Sequence, residues 1–386
     1  MNTIMGYQRP NGDIGIRNHL LIIPTVICSN QVCTRIMQMV PDTVAIPHQH
    51  GCSQIGADKD RTFDVLAGTG KNPNVGAVLI ISLGCEVVDP EALAAEIRKT
   101  GKPVEFFDIQ SVGGSVKAIQ HGLELAKRMK AQLDQEQRVA VPLSKLKVGV
   151  KCGGSDATSG LASNPALGQA ADQLIAAGGG VVIGETTEII GAEHVLAARC
   201  ATADIKERLY HIVDRFEQEV DRMGADMRGG NPSPGNIAGG LSTIEEKSLG
   251  CISKCGTAPI QGVIEYAETV PEGGLTFMDS PGNDIECVSG MAAGGVHIVC
   301  FTTGRGTPTG AAVVPVIKIT GNQSMYQKME DNMDVDVSGV LTGALTMREG
   351  GDQIWQEILE VAGGKLTKAE ILGHQEFSIN RIGPSL

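Results

Sequence analysis

Ala77-Val78-Leu79-Ile80-Ile81-Ser82-Leu83-Gly84-Cys85-Glu86 is an apolar run that ends in a glycine turn bearing a thiol and a carboxylate. The run reads as a β-strand, and the turn stands at its carboxyl end, where open parallel sheets bind ligands. Outward from this strand the same alternation repeats. Upstream lie the strand Leu20–Thr25, a helix over Asn30–Met39, the strand Thr43–Ile46 and a helix over Lys59–Leu66. Downstream come a helix over Glu91–Lys99, the strand Val104–Asp108 and an amphipathic helix Ser115–Asp134 that runs out into the polar stretch Gln135–Arg138. Strands alternating with helices build a parallel sheet covered by helices. A second region of this kind opens with the strand Lys147–Val150 and continues through a helix over Leu167–Ala177, the strand Val181–Gly184 and the charged helix Thr202–Met223. The expected fold is α/β: two domains, residues 1–138 and 146–386, with mostly parallel sheets and glycine-rich loops at the strand ends.

Composition agrees with a loop-borne function. The chain has 386 residues, enough for two or three domains each with its own core. It carries 50 glycines and only 3% aromatic residues, a balance that favours backbone loops around ligands. A net charge of −12 without any basic stripe argues against nucleic-acid binding. Met1–Arg9 lacks the pattern of a signal peptide, and no apolar segment reaches the roughly 18 residues of a membrane helix, so no membrane association and a cytoplasmic location are expected. The ten cysteines lack the spacing of a disulfide scaffold and read as thiols, some of them metal ligands.

Several loops carry chemistry. Phe301-Thr302-Thr303-Gly304-Arg305-Gly306-Thr307-Pro308-Thr309-Gly310 follows the apolar run Val296–Phe301, and a guanidinium among glycines suits a carboxylate. His48-Gln49-His50-Gly51-Cys52-Ser53-Gln54 follows a strand and offers two imidazoles and a thiol to Fe²⁺, Zn²⁺ or Mn²⁺. Cys85-Glu86 and Lys151-Cys152-Gly153-Gly154-Ser155-Asp156 occupy equivalent strand-end positions. The tetrapeptide Ser-Pro-Gly-Asn occurs at 233–236 and again at 280–283, either as two similar turns or as two loops around one pocket. His121 and His211 fall on solvated helix faces, and His297 is a core residue or a site residue.

Together with Gly12-Asp13-Ile14-Gly15-Ile16-Arg17-Asn18, Asn231-Pro232-Ser233-Pro234-Gly235-Asn236, Glu246-Lys247-Ser248-Leu249-Gly250-Cys251 and Thr303–Pro308, these motifs resemble the altronate and galactarate dehydratase family over nearly the whole chain. The resemblance implies a hydro-lyase that removes water from a sugar acid to give a 2-keto-3-deoxy acid, usually with Fe²⁺ or Mn²⁺. Longer members carry an N-terminal SAF-type domain, whereas this chain begins almost directly at Gly6-Tyr7-Gln8-Arg9; a separate small SAF-domain subunit and an oligomer are therefore expected. Cys255 and His50 depart from the family pattern and bear on substrate choice rather than on reaction type.

Loss of a β-hydroxyl requires removal of the weakly acidic C2 proton, stabilisation of an enediolate and departure of hydroxide. The expected roles are Arg305 as carboxylate clamp, assisted by Thr307 and the amides of Gly304 and Gly306. The metal falls to His48, Cys52, Cys85 and Glu86; an iron–sulfur cluster drawing on Cys52, Cys85, Cys152 and Cys251 stays open as an alternative. Lys254 or His48 is the base, and Asn236, Asn283, Asp284, Ser155 and Asp156 bind polyol hydroxyls. Two rival readings stand beside this one: the related sulfolactate sulfo-lyase large subunit, which expels sulfite, and a non-catalytic sugar-acid-binding subunit.

Overall fold

The computed structural model describes residues 3–384 and 386. The chain opens with a short antiparallel pair, β1 (Thr3–Gln8) and β2 (Ile14–Gly15). A parallel sheet follows, built from β3 (His19–Pro24), β4 (Thr43–Ala45), β5 (Val75–Ser82) and β6 (Val104–Asp108) in the order β4-β3-β5-β6. All eight residues of β5 are buried, as its unbroken Val/Ile/Leu pattern requires: a central parallel strand is covered by helices on both faces. Alternate residues divide between the faces. Leu79 and Ile81 pack with Cys33, Ile36 and Met129 from helices Asn30–Met39 and Ser115–Leu133, while Val78 and Ile80 pack with Leu66, Leu93 and Ile97 from helices Gly56–Lys71 and Pro90–Arg98.

The stretch between the expected domains is more than a linker. β7 (Val139–Pro142) pairs antiparallel with β1, closing the small sheet β2-β1-β7. A seven-stranded, wholly parallel sheet follows, from β8 (Lys147–Cys152), β9 (Gly180–Ile183), β10 (Ile260–Ile264), β11 (Gly274–Met278), β12 (Ile298–Thr302), β13 (Val316–Thr320) and β14 (Val335–Asp336), in the order β10-β11-β9-β8-β12-β13-β14. Among the described residues no helix is long and apolar enough to cross a membrane.

The two large sheets share a core, in which Leu21, Ile23 and Val78 meet Val182, Met291 and Val299. Helix Gly56–Lys71 crosses helix Asp284–Ala293 so closely that a Cβ on Gly68 would lie 2.5 Å from the Ala293 carbonyl oxygen. Asn72 donates to the carbonyls of Ala292 and Val296, and Asn74 to those of His297 and Val313. His297 is a core residue: its Nδ1 accepts the Lys147 N–H at 2.9 Å and its Nε2 bonds the Ile14 carbonyl at 2.8 Å. The C-terminal segment returns to the first sheet, where the Asp58 carboxylate accepts the N–H groups of Ile382 and Gly383 at 2.7 Å each.

Strand order locates the crevices. In each large sheet the chain builds to one side and then returns to build to the other, with β11 inserted between β9 and β10, and the direction reverses between β3 and β5 in the first sheet and between β8 and β12 in the second. Connections leave such neighbouring strands toward opposite faces, and a crevice opens at their carboxyl ends.

Candidate active site

At the β8/β12 reversal the carboxyl ends carry a buried cluster of charge. Lys151 stands in β8 one residue before Cys152, Glu185 follows β9, and Lys254 and Cys251 come from the end of helix Ile244–Ile252 and the turn after it. Lys151, Glu185 and Lys254 have side-chain exposures of 1%, 0% and 0%. Glu185 accepts from Lys151 Nζ at 2.5 Å, from the Cys152 N–H at 3.3 Å, and pairs with Lys254 Nζ at 2.9 Å. Its φ of 71° is uncommon for a residue with a side chain and turns the carboxylate inward, with its own N–H bonded to Ser280 Oγ at 2.8 Å. Lys151 also reaches Asp284 at 2.7 Å, and Lys254 donates to Cys251 Sγ at 2.6 Å and to Cys152 Sγ at 3.4 Å. The two sulfurs are 3.6 Å apart.

Charges alternate through this cluster, and the protonation states follow. Burial alone pulls Lys254 down, but Cys152, Cys251 and Glu185 together hold it well above its ordinary value. Lys151 is raised in the same way by Glu185 and Asp284, against burial. Burial opposes ionisation of Glu185 as well, yet Lys151 and Lys254 keep it below the usual carboxylate value. The sulfurs diverge: their mutual hydrogen bond lowers Cys152, and that same bond with burial raises Cys251 well above a free thiol. The arrangement is a pair of hydrogen-bonded sulfurs backed by an ammonium that contacts both, which stabilises one negative charge on the pair. This bears against the expected role of Lys254 as the base: its anionic neighbours make it hold its proton.

The cluster opens onto a cavity of about 300 Å³ lined by Cys152, Ser155, Asp156, Asn164, Lys247 and Cys251 among others. Lys247 enters it paired with Glu188 at 2.8 Å and Asn231 Oδ1 at 2.6 Å. Ser155 Oγ has no protein partner among the described residues. Other expected polyol binders are already engaged. Asn236 closes a capping box with Ser233 and donates to the Ser155 carbonyl; Asn283 caps helix Asp284–Ala293 through the N–H groups of Ile285 and Glu286. Asp156 accepts from Thr158, Ser159 and Asn322, and Asp284 belongs to Lys151. The repeated tetrapeptides do surround one segment, Thr186–Glu188: Asn231, just before the first, donates to the Thr187 carbonyl, and the Ser280 carbonyl in the second accepts the Thr186 N–H.

Arg305 lies on the neighbouring loop after β12, exposed and without an ion pair among the described residues, with its Nε 3.7 Å from where a Cβ on Gly235 would stand. The loop amides are not free as expected. Gly304 N–H bonds the Gly154 carbonyl, Gly306 N–H bonds Thr303 Oγ1, and Thr307 Oγ1 is paired with Thr309 Oγ1. These bonds shape the loop that presents Arg305.

The remaining expected residues sit at the carboxyl end of the first sheet. His48 is buried, with Nε2 2.7 Å from the Pro24 carbonyl oxygen and Nδ1 accepting the His50 N–H at 3.1 Å. Burial pushes its pKa down to about 4, and with both nitrogens occupied it has no lone pair for a metal or a proton. Glu86 accepts from the N–H groups of Leu83, Gly84 and Cys85 and from the Thr25 hydroxyl; although burial opposes it, these bonds hold the carboxyl below its usual value. It ties its own loop. Cys52 and Cys85 are exposed, whereas Cys152 and Cys251 are buried in the second site. The six expected metal ligands therefore divide between two places.

Among the described residues, only Cys152, Glu185 and Cys251 bring three ligand atoms within 4.8 Å of one another. The Lys254 ammonium contacts all three, so a buried cation already stands where an ion would bind. Those residues do not fit Fe²⁺ or Mn²⁺ unless that ammonium is displaced, and no step is derived through a metal there. The residues that sequence reasoning left without roles are Lys151, Glu185, Lys247 and Asn164. Lys151 interrupts an apolar strand and Glu185 follows one directly, which are the signals that point to them.

Comparison with known proteins places this geometry. Residues 6–134 match the family described as D-galactarate dehydratase/altronate hydrolase, second domain, and residues 143–385 match D-galactarate/altronate dehydratase, C-terminal. The chain is 42% identical to (2R)-sulfolactate sulfo-lyase subunit beta of Chromohalobacter salexigens, over 98% of this chain and 97% of that protein. It is 37% identical to altronate dehydratase of Bacillus subtilis, over 100% of this chain and 78% of that protein. Galactarate dehydratase (L-threo-forming) of Escherichia coli is 34% identical, over 94% of this chain and 73% of that protein. The family models span both sheets, and the chain belongs to the D-galactarate/altronate dehydratase family.

Proposed function

We propose that this chain dehydrates a sugar acid to a 2-keto-3-deoxy acid in the cavity beside Cys152. The observation that carries the reading is the hydrogen-bonded pair Cys152 and Cys251, 3.6 Å apart and in contact with Lys254, at the edge of a polar cavity with cations around it. Lys247 and Arg305 suit the substrate carboxylate, and Ser155 and Asn164 suit its hydroxyls. The Cys152 thiolate takes the C2 proton, the enediolate forms beside the ammonium of Lys254, and Cys251 gives its proton to the C3 hydroxyl as it leaves. Atoms balance as substrate giving enol plus water, and the enol tautomerises to the keto acid. A proton passing between the two sulfurs restores the starting state.

A second reading is favoured by one observation. The sulfo-lyase subunit matches at 42% identity over 97% of its length, against 37% and 78% for the Bacillus dehydratase. Loss of sulfite from a 3-sulfo-2-hydroxy acid begins with the same C2 proton, but sulfite departs without protonation. That relative is by name one subunit of an assembly, and we extend to this chain the expectation of a small SAF-domain partner.

The test is a product assay on anaerobic protein, with and without a co-expressed small subunit, using altronate, galactarate and sulfolactate. Keto acid without sulfite, abolished by Cys152→Ser, is the expected result. Cys251→Ser separates the readings, since it slows water loss and spares sulfite loss. Absence of both products under all conditions refutes the catalytic reading.

A further inference from the structure

Val316-Ile317-Lys318-Ile319-Thr320, strand β13, is a largely apolar run broken by one lysine, the signal that also marks Lys151 in β8. The two lysines belong to one row across the sheet, because Phe301 of β12 is in register with Lys151 on one side and with Lys318 on the other. Lys151 turns into the Cys152 cluster, and Lys318 turns to the loop after β12. The Lys318 side chain is wholly buried, and its ammonium donates to the carbonyls of Pro308 and Thr309 at 3.1 Å each. It forms no ion pair among the described residues, and burial pushes its pKa down to about 8 against the pull of Asp334 and Glu376. Those carboxylates bond other groups: Asp334 accepts the backbone N–H groups of Lys318 and Lys368, while Glu376 accepts that of Gly310 and pairs with His374. An apolar side chain would fill this space without desolvating a charge, so the two carbonyls are what the lysine serves.

Those carbonyls belong to the loop Thr303–Gly310, which is fastened at both ends. At its start the N–H groups of Gly304 and Arg305 bond the Gly154 carbonyl at 3.2 and 2.9 Å. At its finish Lys318 holds Pro308 and Thr309, the Gly310 N–H bonds Glu376 at 2.8 Å, and a Cβ on Gly310 would come 2.3 Å from the His374 carbonyl oxygen. Arg305 stands between the two fastenings, and Gly154 directly precedes Ser155 and Asp156, which line the cavity. We propose that Lys318 is a positioning residue for the substrate carboxylate, fixing the loop that presents Arg305. This role rests on the reading of Arg305 as the carboxylate clamp, and Lys318 itself touches no substrate. A loop released at its finish spends part of its time with the guanidinium out of place, and the apparent affinity falls by that fraction. Chemistry at Cys152 is untouched once substrate is bound, so the loss belongs to KM rather than to kcat.

The test is steady-state kinetics on the full chain, under the conditions of the product assay and with whichever of altronate, galactarate and sulfolactate it turns over, for wild type, Lys318→Met, Arg305→Ala and the double variant. Lys318→Met is expected to raise KM by ~3- to 10-fold with kcat within ~2-fold, and to add nothing to Arg305→Ala, because it acts through the arginine alone. Hydrogen exchange read by mass spectrometry should quicken across Thr303–Gly310 while β9 keeps its protection, which a general loosening of the fold would not spare. Glu376→Ala cuts the other fastening at a part-exposed position and serves if Lys318→Met does not fold; it should give the same loss confined to KM. An unchanged KM in either variant, a lowered kcat, losses that multiply in the double variant, or exchange that quickens over the whole sheet overturns the proposal and leaves the clamp reading intact. Arg305→Ala with an unchanged KM, or a wild type that turns over none of the three acids, defeats the clamp reading and takes this role with it.

Discussion

Glu185→Gln keeps the shape of a side chain while deleting the carboxylate that two buried lysines share. Lys151 retains Asp284 at 2.7 Å, but Lys254 is left with only the two sulfurs at 2.6 and 3.4 Å. Breaking a buried pair by removing one partner costs about 3–5 kcal/mol, because the surviving charge has lost both water and counter-ion. Against a total stability of about 5–15 kcal/mol this is a large fraction. At roughly 2–4 °C per kcal/mol for a domain of this size, Tm falls by about 6–20 °C. The pH dependence has a definite sign. The Glu185 carboxyl titrates below its ordinary value of 4.5, so its stabilisation is complete above that pH and is lost as pH falls through the folded-state value. The gap between wild type and variant should be flat from neutral pH to about pH 5 and close in stronger acid. Calorimetry across that range measures it, and Glu185→Gln combined with Lys254→Met should recover part of the loss through their coupling. A variant within about 2 °C of wild type, or a gap that widens in acid, refutes the reasoning.

Three further outcomes are expected. His48 and His297 are buried neutral, each with a pKa near 4 against 6.5 when unfolded, so the unfolded chain binds more protons between those values. Stability should therefore fall on acidification through that window by about 1.4 kcal/mol per pH unit for each, and His48→Gln should flatten the slope in urea unfolding. Arg305→Ala should raise KM and lower kcat/KM by at least ~10-fold with an unchanged Tm, since the guanidinium is exposed and supports no other residue; unchanged kinetics would remove it from the substrate carboxylate. Gly68→Val should lower stability by about 1–3 kcal/mol by wedging apart helices Gly56–Lys71 and Asp284–Ala293, and a neutral effect in denaturant unfolding would mean that their close approach is not required.

Apolar runs announced the strands closely: Val104–Asp108 was legible to the residue, and Ala77–Leu83 is β5 displaced by one or two positions. Helix Gly56–Lys71 extends well beyond its expected span, Lys59–Leu66, and Gly68 and Gly70 in the extension are points of close packing. Strand-end placement of Cys152 was legible, but its partners were not. Glu185 and Lys254 meet it across strand order, and sequence spacing does not encode which strand lies beside which. Hydrogen-bond occupancy was the other hidden variable. His48, Glu86 and Asn283 have the side chains of ligands, but their polar atoms are taken up by backbone groups only a few residues away or on the adjacent strand.

Asp58 and its two N–H donors are made far apart in time as well as in sequence. The donors Ile382 and Gly383 lie 324 and 325 residues downstream. At about 5–20 residues per second of synthesis, that delay is roughly 15 to 65 seconds. The first sheet must therefore wait on the ribosome with the amino end of helix Gly56–Lys71 unsealed and with one wall of its cleft, the segment carrying Ile379, still unmade. Whatever binds at the carboxyl end of that sheet meets a surface without that wall during translation and a cleft bounded by it afterward.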